Sequence, residues 1–228
     1  QAVSLARVID VSNAQSAFLP VRAAIEVVER VVQGIRAAFN QGCEIQGAAG
    51  SIIHCGPAPS EVLVDAVGAV RVAGFSLTDG SKSRIPAPSG YGPANAGTPE
   101  EQAAYGVGAL LVHLLGGERP VNPGRDANRQ DAVVRRAMIR VLSRPGEPVP
   151  SAITDLIRQA LSYESEDRLS LTDMQDILSE TARTLESPAL RTWASATVPG
   201  LLAQQEHGFP DPDTARKRRH IEATDDSS

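Results

Sequence analysis

The sequence predicts a mainly α domain of the α+β type with one small β-hairpin, and three stretches carry that prediction. Val21, Ile25, Val28, Val32, Ile35 and Phe39 recur at steps of four, three, four, three and four, the stripe of an amphipathic helix. Thr98-Pro99-Glu100-Glu101 reads as an N-cap, a proline at the first helical position and an acidic first turn, and it precedes an apolar run. Val62–Asp65 and Ala69–Ala73 are valine-rich arms with Gly68 at the turn between them.

Composition narrows the class. The chain has 228 residues, 42% of them hydrophobic and 21% charged, enough to build a core beneath a polar surface. Four Phe, three Tyr and one Trp leave that core to Val, Leu, Ile and Ala. A net charge of −5 gives no overall attraction for nucleic acid or an anionic membrane. Cys43 and Cys55 alone do not make a disulfide scaffold, although a bridge between them across one turn is conceivable. They fit a reducing, cytoplasmic compartment. The longest apolar run, Ala103–Leu115, is shorter than the roughly 18 residues that would indicate a membrane span. The first residue is Gln1, so the sequence reads as a fragment or a processed product.

In chain order, residues 3–15 predict a short amphipathic helix with Leu5, Val8 and Ile9 on one side. Pro20 opens the longer helix, which ends near Gly42. Residues 43–50 read as a Gly/Ala-rich connection, and Ser51 begins a short strand. Pro57 and Pro59 withhold two backbone donors and hold the next loop off any ladder. After the hairpin, 78–95 is a Gly/Pro/Ser loop with hydroxyls at Thr78, Ser81, Ser83 and Ser89. Helices follow over 98–116, 126–142, 151–161 and 171–185, with Pro145, Pro148 and Pro150 breaking the chain between the second and third. Gly106 and Gly108, inside the first of these, read as sites of close packing rather than a phosphate loop, because no third glycine follows. A last helix packs Leu190, Trp193 and Val198 onto the domain. Residues 207–228 read as a disordered tail in which Arg216-Lys217-Arg218-Arg219-His220 precede Glu222, Asp225 and Asp226.

The stretch Ser51–Leu77 resembles the catalytic and metal-binding loops of protein kinases, particularly the bacterial serine/threonine type. The family pattern is H-R-D-x-x-x-x-N, two strands, then D-F-G. Here His54-Cys55-Gly56 stands for H-R-D, Glu61 for the Asn, and Gly74-Phe75-Ser76 for D-F-G. Gly74 follows Gly56 by the 18 positions that the family uses. Ala58 stands where a lysine is common, and Pro59 keeps the family's proline. The helices over 3–15 and 20–42 resemble those after the kinase hinge. Gly90-Tyr91-Gly92-Pro93-Ala94 loosely resembles the A-P-E end of the activation segment, without its glutamate. Tyr105 to Pro120 resembles the central helix and its exit, with Ala103 in place of the aspartate that braces the catalytic loop. Glu164–Arg168 resembles a D-P-x-x-R-P turn, so Arg168 is expected to bond a loop carbonyl or Glu164 or Glu166.

The resemblance covers Val3 to Leu185 and implies the large lobe of the fold alone, the small N-terminal lobe being absent from this chain. It divides the sequence into a kinase-like lobe over 1–186 and a C-terminal helix and tail over 187–228. Phosphoryl transfer needs a carboxylate to take the hydroxyl proton and metal ions bridging the phosphates. Gly56 and Gly74 supply neither, a single carboxylate at Glu61 makes a poor magnesium site, and Lys82 and Lys217 are the only lysines. A Cys55–His54 thiol pair is a weaker alternative, since neighbours in an extended loop point apart. No metal-ligand spacing of Cys and His is present.

The resemblance therefore implies a catalytically inactive, pseudokinase-like module without a cofactor or bound metal. Its expected role is to bind or scaffold protein in cytoplasmic bacterial signalling. Ile52, Val62, Leu63 and Phe75 are expected on the rim that the missing lobe would cover, open to a protein partner or to an upstream segment of the same protein. Two other readings are a fragment of a larger kinase-like protein with residual nucleotide binding or allosteric control, and a nucleic-acid binder acting through the basic tail.

Overall fold

Proline sets where the long helix begins. Pro20 sits at the N-cap with φ −52° and ψ 141°, and its carbonyl takes the first helical hydrogen bond, from Ala24 N at 3.0 Å. In the computed structural model, which describes residues 1–15, 17–45, 48–78, 90–93, 97–119, 121 and 126–206, that helix is α2, Val21–Asn40. Its predicted stripe is real: Val21, Ile25, Val28, Val32 and Ile35 are fully buried, and Phe39 is half-buried at the end. Ala24, Val27 and Val31 are buried as well, which widens the apolar face because other elements pack against α2.

The central helix is α3, Pro99–Gly116. Thr98 and Glu101 close a reciprocal cap: Glu101 N donates to Thr98 Oγ1 at 3.3 Å, and Thr98 N to Glu101 Oε2 at 2.6 Å. Gly117, at φ 73°, ends the helix by donating to His113 O. Every residue from Ala103 to Val112 is buried. A helix apolar on all sides belongs inside a core, and α3 packs against α2 and against the later helices α4 (Ala127–Leu142), α5 (Ser151–Ala160) and α6 (Leu171–Thr184). A Cβ on Gly108 would come within 2.7 Å of Ala160 Cβ, so that glycine lets α3 and α5 approach closely.

The N-terminus departs from the predicted helix. Ala2–Ser4 form strand β1, and α1 spans Leu5–Gln15. Ser4 Oγ accepts from Arg7 N at 3.3 Å, so the serine caps the helix while Val3 pairs with Val64 in the hairpin arm. The ladder to that arm outcompetes two more helical residues. Residues 43–50, expected as a connection, lie within two strands, β2 (Gly42–Ile45) and β3 (Ala48–Ile53), up to the undescribed pair 46–47. Gly and Ala have weak strand propensity; pairing along both edges of β3 holds this stretch extended. The hairpin is as predicted, with β4 at Val62–Asp65 and β5 at Val70–Val72. Ser76–Thr78 add β6. Two antiparallel three-stranded sheets result, ordered β1-β4-β5 and β2-β3-β6.

Seven α-helices and six short strands among the described residues make the protein mainly helical with small antiparallel sheets. The last helix, α7 (Leu190–Glu206), buries Leu190, Ala194, Val198 and Leu201 in the common core, with Trp193 half-buried. Glu26 ties α7 to α2, accepting from Leu190 N at 2.7 Å and pairing with Arg22 at 2.8 Å. Among the described residues no helix is long and apolar enough to cross a membrane. The hydroxyls at Ser81, Ser83 and Ser89, Lys82, Lys217 and the basic cluster at 216–220 lie outside the described residues.

Arg168 follows a 3-10 turn at Ser165–Asp167 and is buried. Its guanidinium donates to Ser162 O and Tyr163 O, both at 3.0 Å, and lies 5.4 Å from the centre of the Tyr105 ring. Loop carbonyls are one of the partners the sequence predicted. The fork cannot be matched by an ammonium. Arg168→Lys is therefore expected to lower stability by about 1.5–3 kcal/mol, measured by urea unfolding, with Arg168→Ala costing more because it also uncovers Tyr105.

Candidate functional site

The loops expected to carry the site do come together. Extended β3 delivers His54, 2% exposed, beneath the segment that leaves β5. Its Nε2 donates to Ala73 O at 2.8 Å, and its Nδ1 accepts from Gly56 N at 3.3 Å. Those two bonds fix the tautomer and occupy both ring nitrogens. Phe75 stands edge-on to the imidazole, with centroids 5.1 Å apart and planes at 89°. His54 thus clasps the first loop to the second.

Glu61 completes the clasp. The loop turns through Pro59–Glu61, Glu61 N donates to Ala58 O at 2.9 Å, and Ala58 N returns a bond to Glu61 Oε2 at 2.9 Å. Glu61 O also accepts from Ala73 N at 2.8 Å. The same carboxylate oxygen lies 3.9 Å from His54 Nε2. The Glu61 side chain is thus turned back to cap its own loop.

Gly56 and Gly74 both have structural reasons to be glycine. Gly56 has φ 148° and Gly74 φ 85°, backbone that L side chains rarely adopt. A Cβ on Gly74 would lie 2.6 Å from Glu61 Oε1. Gly56 also faces Gly106 of α3, where an added Cβ would lie 2.3 Å from Gly56 Cα and 2.8 Å from Tyr91 O. Helix and loop touch backbone to backbone.

Other expectations fall differently. Cys55 is a free, half-buried thiol whose pKa burial pushes up, the reverse of what a nucleophile needs, and the neighbouring imidazole is already committed. The side chain of Cys43 lies outside the described residues. Ala58 is buried and Ala103 is fully buried in α3. Ser76 pairs with Ile53 in the β3–β6 ladder. Of the expected rim, Ile52 in β3 and Phe75, just before β6, are half-buried, while Leu63 lies in the other sheet between Ser4 and Arg71. Val62 must be removed from that rim: it is 0% exposed, because its position in β4 turns it into the core. Leu77, cross-strand from Ile52 and 62% exposed, belongs there instead. Its two-residue spacing from Phe75 was the available signal.

A second buried polar pair had no sequence signal, since its members are 22 positions apart. Tyr91 Oη and His113 Nδ1 share a hydrogen bond at 2.5 Å. Burial, then the positive charge of Arg119, lowers the His113 pKa to about 4. Burial also raises that of Tyr91, so both groups stay neutral through the physiological range. Among the described residues no group of three or more His, Cys, Asp or Glu is placed to hold a metal ion. No family model matches the chain, and no curated protein matches it.

Two measurements check this geometry. Gly106→Ala should destabilise by about 1–3 kcal/mol or more, because backbone must move to admit the methyl. Gly116→Ala, whose nearest neighbour is 3.4 Å away, should cost nothing measurable. For His113, the unfolded side chain takes up a proton near pH 6.5 and the folded one only near 4. Stability should therefore fall as pH drops through that window, at no more than about 1.4 kcal/mol per pH unit from this residue. His113→Gln should flatten the slope of urea-midpoint against pH there.

Proposed function

We propose that this chain is a non-catalytic, kinase-like module that binds a partner protein. The observation that carries the reading is the use made of Glu61. In the segment that resembles the kinase catalytic loop, the one carboxylate is taken up by Ala58 N, and the flanking positions are Gly56 and Gly74. No side chain on that loop is set to take a proton from a hydroxyl or to bridge a phosphate through a metal. The backbone angles at both glycines also disfavour the aspartates that such chemistry requires.

The binding half of the reading rests on the rim formed by Ile52, Phe75 and Leu77. Apolar side chains at the mouth of a loop whose one carboxylate, Glu61, is already bonded to Ala58 N suit contact with a protein. A role in bacterial signalling follows only from the likeness of the motifs to bacterial serine/threonine kinases. It is part of the proposal on that basis.

Nucleotide is the direct test. Saturating Mg-ATP should leave the melting temperature unchanged, whereas a ligand at about 100 times its dissociation constant adds about 2.7 kcal/mol. A saturable rise would replace this reading with a nucleotide-binding one. The triple variant Gly56→Asp, Glu61→Asn, Gly74→Asp should transfer no phosphate to generic protein substrates. It should also melt earlier than the parent, each strained aspartate costing about 1–3 kcal/mol.

A further inference from the structure

A groove of about 260 Å3 opens between α3 and α4, well away from the glycine loops. Val112 of α3 lies at its wall, six residues beyond Gly106 and so about 9 Å further along the helix axis. Ala132, Val133, Arg136, Ala137 and Arg140 of α4 face it as one helical stripe, and Arg119 and Val121 close the rim. The walls are thus aliphatic and the edges cationic. Glu118 neutralises Arg140 through an ion pair. Arg119 and Arg136 are exposed and have no carboxylate within ion-pair distance among the described residues.

Charge and size together select an occupant. Three arginines, Arg119, Arg136 and Arg140, and one acid, Glu118, line the groove in a chain whose net charge is −5, so this lining is locally positive on a negative protein. The volume falls below the roughly 300–1,000 Å3 of small-molecule sites, which leaves room for anchoring side chains rather than a whole cofactor. Nucleic acid would satisfy the arginines but waste the valines, and a membrane favours a convex apolar face over a groove. Val121, at the rim, is itself 62% exposed and adds apolar surface at the mouth of the groove.

We propose that this groove docks an acidic peptide segment of a partner protein, an aliphatic side chain entering between Val112 and Val133 while flanking carboxylates reach Arg119 and Arg136. The proposal rests on the protein-binding reading and adds a second surface, with its own chemistry, to the rim at Leu77. Buried anchors hold such a peptide and the charges orient it.

Panning a random dodecapeptide library on the full chain tests it. The enriched peptides should carry Asp or Glu on both sides of a Leu, Ile or Val. Their affinity should fall with added salt and by about tenfold or more in the doubly substituted Arg119→Ala, Arg136→Ala protein. Val133→Ser should weaken them as well, with an unchanged melting temperature for the arginine variant showing that the fold is intact. Peptides lost on Leu77→Asp but indifferent to the arginine variant would overturn the groove and leave the protein-binding reading standing. Absence of enrichment at either face would overturn both. Arginine-dependent binding to vesicles containing anionic phosphoglycerides, with no peptide selected, would also overturn it and identify a lipid surface instead.

Discussion

The contact between Gly56 and Gly106 constrains most of what surrounds it. Because neither residue carries a side chain, the loop after β3 lies directly on the middle of α3, and the Tyr91 backbone closes the same spot. The loop cannot lift without opening the core, since α3 is buried from Ala103 to Val112. With the loop pinned there, His54 is held where its two nitrogens reach Gly56 and Ala73. The imidazole then joins a residue just past β3 of one sheet to one just past β5 of the other. A short helix–loop contact therefore sets the relation between the two sheets.

That architecture explains why some elements were legible from sequence and others were not. The α2 stripe and the Thr98–Glu101 cap are local patterns, with period and cap chemistry within a few residues of each other, and both appear where expected. The hairpin is local too, its Asp65 side chain accepting from Val67 N and Ala69 N across the turn. By contrast, Val3 becomes a strand only because Val64 lies beside it, more than sixty residues later. The extended Gly/Ala stretch in β2 and β3 owes its form to ladder partners, β6 among them, and not to its own side chains. Long-range pairing leaves little trace in a local pattern.

The site shows the same division. That His54, Gly56, Glu61 and Gly74 would gather was implied by the resemblance of Ser51–Leu77 to the kinase loops. Glu61 capping Ala58 was not, because a glutamate three residues past an alanine resembles no common cap until the loop's turn is known. Val62 was misplaced for a simpler reason. A strand alternates faces, so of two adjacent apolar residues one must point inward, and pairing alone decides that Val62 does while Leu63 is half-exposed. The Tyr91–His113 pair needed the tertiary fold entirely.

Arginine shows how far burial, rather than residue type, determines role in this chain. Arg168 and Arg119 carry the same charge. Arg168 is enclosed, and its fork is spent on the Ser162 and Tyr163 carbonyls ahead of the turn that precedes it, so removing it opens a loop. Arg119 and Arg136 stand at the edge of an aliphatic groove with no acid to neutralise them among the described residues, so fixing them in place gains the fold little. Their field still acts on what is near. Arg119 contributes to holding His113 below its ordinary pKa, and Arg140 is quenched by Glu118. The two unquenched cations thus lie against valine and alanine, where a carboxylate brought in beside an apolar anchor would meet less screening than on open surface. The Gly56 loop keeps its one carboxylate, Glu61, bonded to its own backbone, whereas the groove at the far end of α3 holds Arg119 and Arg136, cations unpaired among the described residues.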